Sequence, residues 1–181
     1  MALTRARAVF GSADARASLS AIIDAALRAP RDGEALRTDV IEMRNRMAEH
    51  KPPKGPLDAK LARGGLVDLE FLIHYLQLRE KTAFSPDLRV ALAALIDAGL
   101  LSASLAPAHD AMARLLVAAR LLAPDAAEPP KAARAVLAHA CACANWDDLL
   151  TTLAAARAEV ARAWQAVFGE TLEITPYEQV P

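Results

Sequence analysis

Aromatic residues are scarce in this chain: four Phe, two Tyr and two Trp. Glycine is nearly as scarce, with seven in 181 residues, and there are only two cysteines, Cys141 and Cys143. Two cysteines close together build no disulfide framework, so a reducing, cytoplasmic setting is expected. No apolar run approaches the ~20 residues that a membrane-spanning helix needs. The first residues, Met1-Ala2-Leu3-Thr4-Arg5-Ala6-Arg7, lack the apolar centre of a signal peptide, which argues against export. A formal net charge of −1 argues against a broad nucleic-acid surface. What remains is a chain rich in Ala, Leu and Arg, 54% hydrophobic and poor in β-branched residues, and that composition favours helices. The length fits one domain able to bury its own core.

Charge is unevenly distributed. Residues 1–90 carry 15 Lys/Arg against 12 Asp/Glu, whereas residues 91–181 carry 6 against 10. The positive excess gathers at Arg44, Arg46, Lys51, Lys54, Lys60 and Arg63, a local patch suited to a small anion or phosphate.

No alternation of period two persists, and helical spacing recurs throughout. A first helix is expected from Ala2 to about Phe10, and a second from Asp14 to Ala29 with Leu19, Ile22, Ile23, Ala26 and Leu27 on its buried face. Asp32 reads as the N-cap of a third helix that reaches His50. The Pro- and Lys-rich stretch 51–56 is a loop, and 57–61 is extended or irregular. A fourth helix follows Gly64-Gly65, its inner face formed by Leu69, Leu72, Ile73 and Leu76 with Tyr75 beside them. Further helices are expected over Leu88–Ala98, Ala106–Leu122, from Pro130 to Ala144, and over Trp146–Phe168 between Asn145 and Gly169. Trp146 and Trp164, eighteen residues apart, fall on one face of this last helix and read as core. The whole reads as an all-α antiparallel helical bundle over 1–169, with 170–181 an extended or disordered tail.

One run carries more than fold. In Lys60-Leu61-Ala62-Arg63-Gly64-Gly65-Leu66-Val67-Asp68-Leu69-Glu70-Phe71, two cations precede a Gly pair that opens an apolar helix. Consecutive glycines let another backbone or a ligand approach closely. Free N–H groups at a helix start attract anions, and Lys60 and Arg63 add positive charge beside them. A tight turn into a helix whose early acids favour its N-terminus is the plainer reading of the same residues. Asp68 and Glu70 project about 200° apart on a helix, a poor shared metal site. His139, Cys141 and Cys143 diverge in the same way, so no residue is assigned to a metal. His74, inside an apolar helix, reads as a satisfied, partly buried histidine. No Ser or Cys has a base placed to activate it.

The order of residues Leu57-Asp58-Ala59-Lys60, Gly64-Gly65-Leu66-Val67-Asp68-Leu69-Glu70-Phe71 and Tyr75-Leu76-Gln77-Leu78-Arg79 resembles the glutamine synthetase adenylyltransferases. Ala2–Val9, Pro30-Arg31-Asp32, Asp39–Arg44, Asp97–Leu101 and Ala163-Trp164-Gln165 extend the resemblance over nearly the whole chain. It implies tandem nucleotidyltransferase units, each a catalytic core followed by a helical bundle, one removing AMP from glutamine synthetase and the other attaching it from ATP. By that resemblance the chain is the helical domain behind the adenylylating core, and residues 1–10 are the remnant of the helix leaving that core. Arg7, Lys60, Arg63, Gly64 and Gly65 would then face the nucleotide cleft, with Asp68 and Glu70 anchoring that edge to the core. ATP and Mg²⁺ would belong to the parent enzyme, its partners being its own core, glutamine synthetase and the signalling protein PII.

A nucleotidyltransferase core needs Gly-Ser followed by an Asp-x-Asp pair to hold Mg²⁺. Gly11-Ser12 is present, but the carboxylate pair is not, so no catalytic residue is assigned and the fragment is expected to be inactive alone. Two other readings stay open: a stand-alone interaction domain binding a signalling protein such as PII, and the equivalent bundle of a deadenylylating or uridylyltransferase unit.

Overall fold

Short polar side chains start most of the helices by accepting hydrogen bonds from free first-turn N–H groups. In the computed structural model, which describes residues 1–175, Ser12 opens α1 (Ala13–Arg28) and Asp32 opens α2 (Gly33–His50) in this way. Asp87 does the same for α4 (Leu88–Asp97), accepting from Arg89 and Val90. At α7 (Trp146–Phe168) the cap is reciprocal: Asn145 accepts from Asp148 N at 2.9 Å, and the Asp148 carboxylate accepts from Ala144 N at 2.7 Å. Gly169, at φ +69°, ends α7 in the left-handed region. The remaining helices are α3 (Leu66–Glu80), α5 (Leu105–Leu122) and α6 (Lys131–Ala140). Among the described residues there is no strand, and no helix is long and apolar enough to cross a membrane.

α3 is the axis of the fold. The sequence pattern predicts one inner face, yet residues 66–69 and 72–78 are all buried, including Asp68, His74 and Gln77. α2, α4, α5 and α7 pack around it, and α5 lies along both α6 and α7. A helix enclosed on all sides needs no polar stripe, which is why its apolar residues nearly fill the turn. Tyr75 of α3 meets Phe168 of α7 with ring centroids 4.7 Å apart, and Phe168 meets Trp164 at 4.3 Å. Three of the eight aromatics thus meet where α7 closes the core; Trp164 is buried, whereas Trp146 is half-buried.

Four expectations change. The first helix is only a 3-10 turn at Ala2–Arg5, after which Ala6 is extended. Thr4 is its one buried residue, so a longer helix would have no core to rest on. α1 buries only Leu27 of the apolar face assigned to it, leaving Leu19 and Ile22 exposed. α6 stops at Ala140, because Ala142 adopts φ +61° and Cys143 N turns back to Ala138 O at 2.9 Å. The expected tail divides: residues 170–175 have no regular structure, though Leu172 is buried, and 176–181 lie outside the described residues.

Candidate functional site

The run from Asp58 to Glu70 forms a pinned loop leading into α3. Asp58 is buried, and its carboxylate accepts from the backbone N–H groups of Lys54, Lys60 and Leu61 at 3.1, 3.0 and 2.9 Å. Arg44 of α2, 1% exposed, donates Nε to Asp68 Oδ1 at 2.5 Å and Nη2 to Asp68 Oδ2 at 3.2 Å and to Leu61 O at 3.1 Å. Asp68 also accepts from Gly64 N at 2.7 Å. Arg157 of α7 donates Nε to Arg63 O at 2.9 Å and Nη1 to Thr175 O at 3.1 Å. Burial lowers the Arg157 pKa below the usual arginine range, and nearby Asp68 opposes that shift. Side chains from α2, α3 and α7 therefore fix one loop, each charge meeting a charge or a carbonyl.

This geometry reverses part of the sequence reading. The start of α3 is not a bare row of donors, since Leu66 N donates to Ala59 O at 2.9 Å and Val67 N to Lys60 O at 3.1 Å. Gly64 and Gly65 are buried, and the backbone they admit is the protein's own. A Cβ on Gly64 would lie 2.5 Å from Arg157 O, and one on Gly65 2.7 Å from Ala62 O. Asp68 is fully buried against Arg44, so it organises the loop from inside instead of reaching a neighbouring domain.

The other assigned residues lie at the surface and do not converge. Lys60 is exposed and lines a hollow of about 290 Å³ with Lys54, Leu57, Leu116, Arg120 and Asp125. Arg63 is half-buried and donates to Asn45 Oδ1 at 2.8 Å beside a different hollow, shared with Trp164 and Glu173. Its pKa is lowered by burial and then by neighbouring Arg44. Arg7 is exposed on a third groove, near α1. Glu70 faces Arg5 at 3.8 Å and so ties α3 to the N-terminal segment. The basic patch is correspondingly thinner than the sequence implies: Arg44 is buried, Arg46 pairs with Glu42 at 3.0 Å, and Lys54 pairs with Asp125 at 2.9 Å.

Arg157 and Asn45 escaped the sequence reading, and Arg44 was assigned to the surface. For Arg44 a signal existed: it falls three residues after Ile41 and four after Val40, on the buried stripe of α2. As for a metal, among the described residues no three His, Cys, Asp or Glu side chains gather. Asp68 and Glu70 point to separate cationic partners, so these acids do not fit a Mg²⁺ site.

The described residues are all-helical, and their charged loop is held by side chains of α2, α3 and α7. No family model matches the sequence. The chain is 40% identical over 178 residues to the bifunctional glutamine synthetase adenylyltransferase/adenylyl-removing enzyme of Caulobacter vibrioides, covering 92% of this chain. It is 47% identical over 78 residues to the enzyme of the same name from Bradyrhizobium sp. (strain ORS 278), and 39% identical over 97 residues to that of Rhodopseudomonas palustris (strain BisB5). The chain is thus homologous to one segment of the glutamine synthetase adenylyltransferases; it spans 18% of the length of the Caulobacter enzyme.

Proposed function

We propose that this chain is the helical domain that follows the adenylylating nucleotidyltransferase core of a glutamine synthetase adenylyltransferase. Its task there is to support the edge of the adenylylation site and to help seat glutamine synthetase. The observation that carries this reading is likeness to such enzymes over 92% of the chain. The loop from Asp58 to Gly65 supports it, because a loop fixed by one buried ion pair and by side-chain bonds to its backbone presents Lys60 and Arg63 at defined positions without further ordering cost. Lys60 is the better candidate for contact with the anionic nucleotide or the core, since it is exposed and Arg63 already holds Asn45. Arg7 and Glu70 belong to the side where the chain leaves the core. ATP and Mg²⁺ are held by the catalytic unit, outside this segment, in a cytoplasmic enzyme of nitrogen regulation.

The test is AMP transfer from ATP to glutamine synthetase by the full-length polypeptide encoded around this segment. Lys60→Ala is expected to lower kcat/KM by roughly tenfold, the effect of losing one charge-assisted contact. The 181-residue chain alone is expected to transfer no AMP. Absence of AMP transfer by the full-length polypeptide, or unchanged kcat/KM and ATP affinity in Lys60→Ala, would respectively overturn the enzyme assignment and the role of Lys60.

A further inference from the structure

α1 is amphipathic, yet it buries only one of its sixteen residues, Leu27. Leu19, Ile22, Ile23 and Ala26 recur at the spacing of a core-facing stripe. Leu19 is nevertheless 44% exposed and Ile22 65% exposed. The helix is fastened near its C-terminal end. Arg31 donates to Leu27 O at 2.7 Å, and Arg28 donates to Lys81 O at 3.1 Å while its guanidinium lies 5.3 Å from the Phe84 ring centre. Beside α1 runs a groove of about 670 Å³ lined by Ala6, Ala17, Ile23 and Phe84 among others. Arg7 and Arg16 also line it, and neither has an ion-pair partner among the described residues, whereas Asp24 is taken by Arg28 at 2.9 Å. The surface is therefore apolar with an uncompensated positive rim. A helix of this length gains little from propensity alone and is marginal in water without an apolar contact.

We infer that the exposed face of α1 and the adjoining groove seat the catalytic unit of the same polypeptide, through an apolar element flanked by carboxylates. The inference rests on the proposed function, which makes this chain one domain of a longer enzyme. More than four-fifths of the Caulobacter relative lies outside the matched segment, so such a polypeptide contains ample material for the contact. Charge selects the kind of surface: Arg7 and Arg16 call for acids opposite them. A second copy of this chain fits less well, because a two-fold interface sets a patch against itself and would bring these cations together.

The test compares amide hydrogen exchange of α1 in the 181-residue chain and in the full-length polypeptide. α1 is expected to exchange at least about tenfold more slowly in the full-length protein. Leu19→Glu with Ile22→Glu is expected to abolish that protection, while Val117→Glu, on an exposed position of α5, leaves it intact. Both variants change exposed side chains, and circular dichroism of the 181-residue chain checks that they fold. Equal exchange in the two proteins would overturn the inference, as would protection that survives the double substitution or protection of the isolated chain that rises with its concentration. AMP transfer measured on the same full-length sample separates the cases: active enzyme with unprotected α1 overturns this inference alone, whereas inactive wild-type enzyme overturns the reading beneath it.

Discussion

The Arg44–Asp68 pair shows how much the value of a charge depends on its neighbours. Both side chains are within 1% of complete burial, and Asp68 holds Gly64 N as well as the guanidinium. Removing one member strands the other in the core, which costs about 3–5 kcal/mol, whereas replacing both by apolar residues of similar volume is often nearly neutral. Asp68→Ala is therefore expected to lower Tm by roughly 6–20 °C in thermal unfolding. Arg44→Met with Asp68→Leu should recover most of that loss while loosening the loop at Gly64. A double variant no more stable than Asp68→Ala would show that the loop bonds, and not the stranded charge, dominate. In the sequence Arg44 looks like a member of a basic patch, because a charge count cannot tell which arginine meets a buried carboxylate.

At the scale of elements, the sequence makes most helices legible through their punctuation. Asp32, Asn145 and Gly169 each sit at a boundary that the fold confirms. What periodicity could not convey is how many neighbours a helix has. It assigned one buried face to α3, which is enclosed, and one to α1, which is largely bare. The Gly pair shows the same limit: glycine announces a close approach but not what approaches. Gly64 and Gly99 make the distinction measurable. Both have positive φ, +76° and +71°, but a Cβ on Gly64 would strike Arg157 O at 2.5 Å, while nothing lies within 4 Å of one on Gly99. Gly99→Ala should cost about 1–2 kcal/mol, for conformation alone. Gly64→Ala should cost roughly 2–5 kcal/mol, because α7 must also shift. Equal costs in urea denaturation would remove the close approach as the reason for Gly64.

For the molecule as a whole, the N-terminal segment is tied to α3 through Thr4 and Arg5. His74 Nδ1 lies 3.0 Å from Thr4 Oγ1 and 2.9 Å from Gln77 Oε1, and Gln77 Nε2 donates to Ala83 O at 2.8 Å. Burial lowers the His74 pKa, and Arg5 and the N-terminal amine add to that, while Gln77 and Glu70 oppose it. A depressed folded value means that the unfolded or undocked state binds the proton more readily. The His74 contribution is thus fully present above the ordinary histidine value of about 6.5 and is lost as pH falls through the lowered folded value. Amide protection at Thr4 should therefore fall on acidification across that window, and His74→Gln should flatten the dependence. An unchanged pH profile in His74→Gln would exclude this histidine as its source. The sequence reads His74 as a satisfied, partly buried histidine, and the fold buries it; its link to Thr4 spans seventy positions and leaves no local pattern.

The contact between α7 and the loop also bears on which length changes the chain can tolerate. Arg157 touches the loop twice, with its carbonyl beside Gly64 and its guanidinium on Arg63 O. Both contacts require one rotational setting of α7. Deleting a single residue between Asn145 and Arg157 turns the rest of the helix by about 100° and carries Arg157 off the loop. Deleting Pro52 or Pro53 instead falls in irregular chain ahead of the turn pinned by Asp58, where the backbone can absorb it. Natural variation in length should therefore collect in the Lys- and Pro-rich connector and spare the first half of α7.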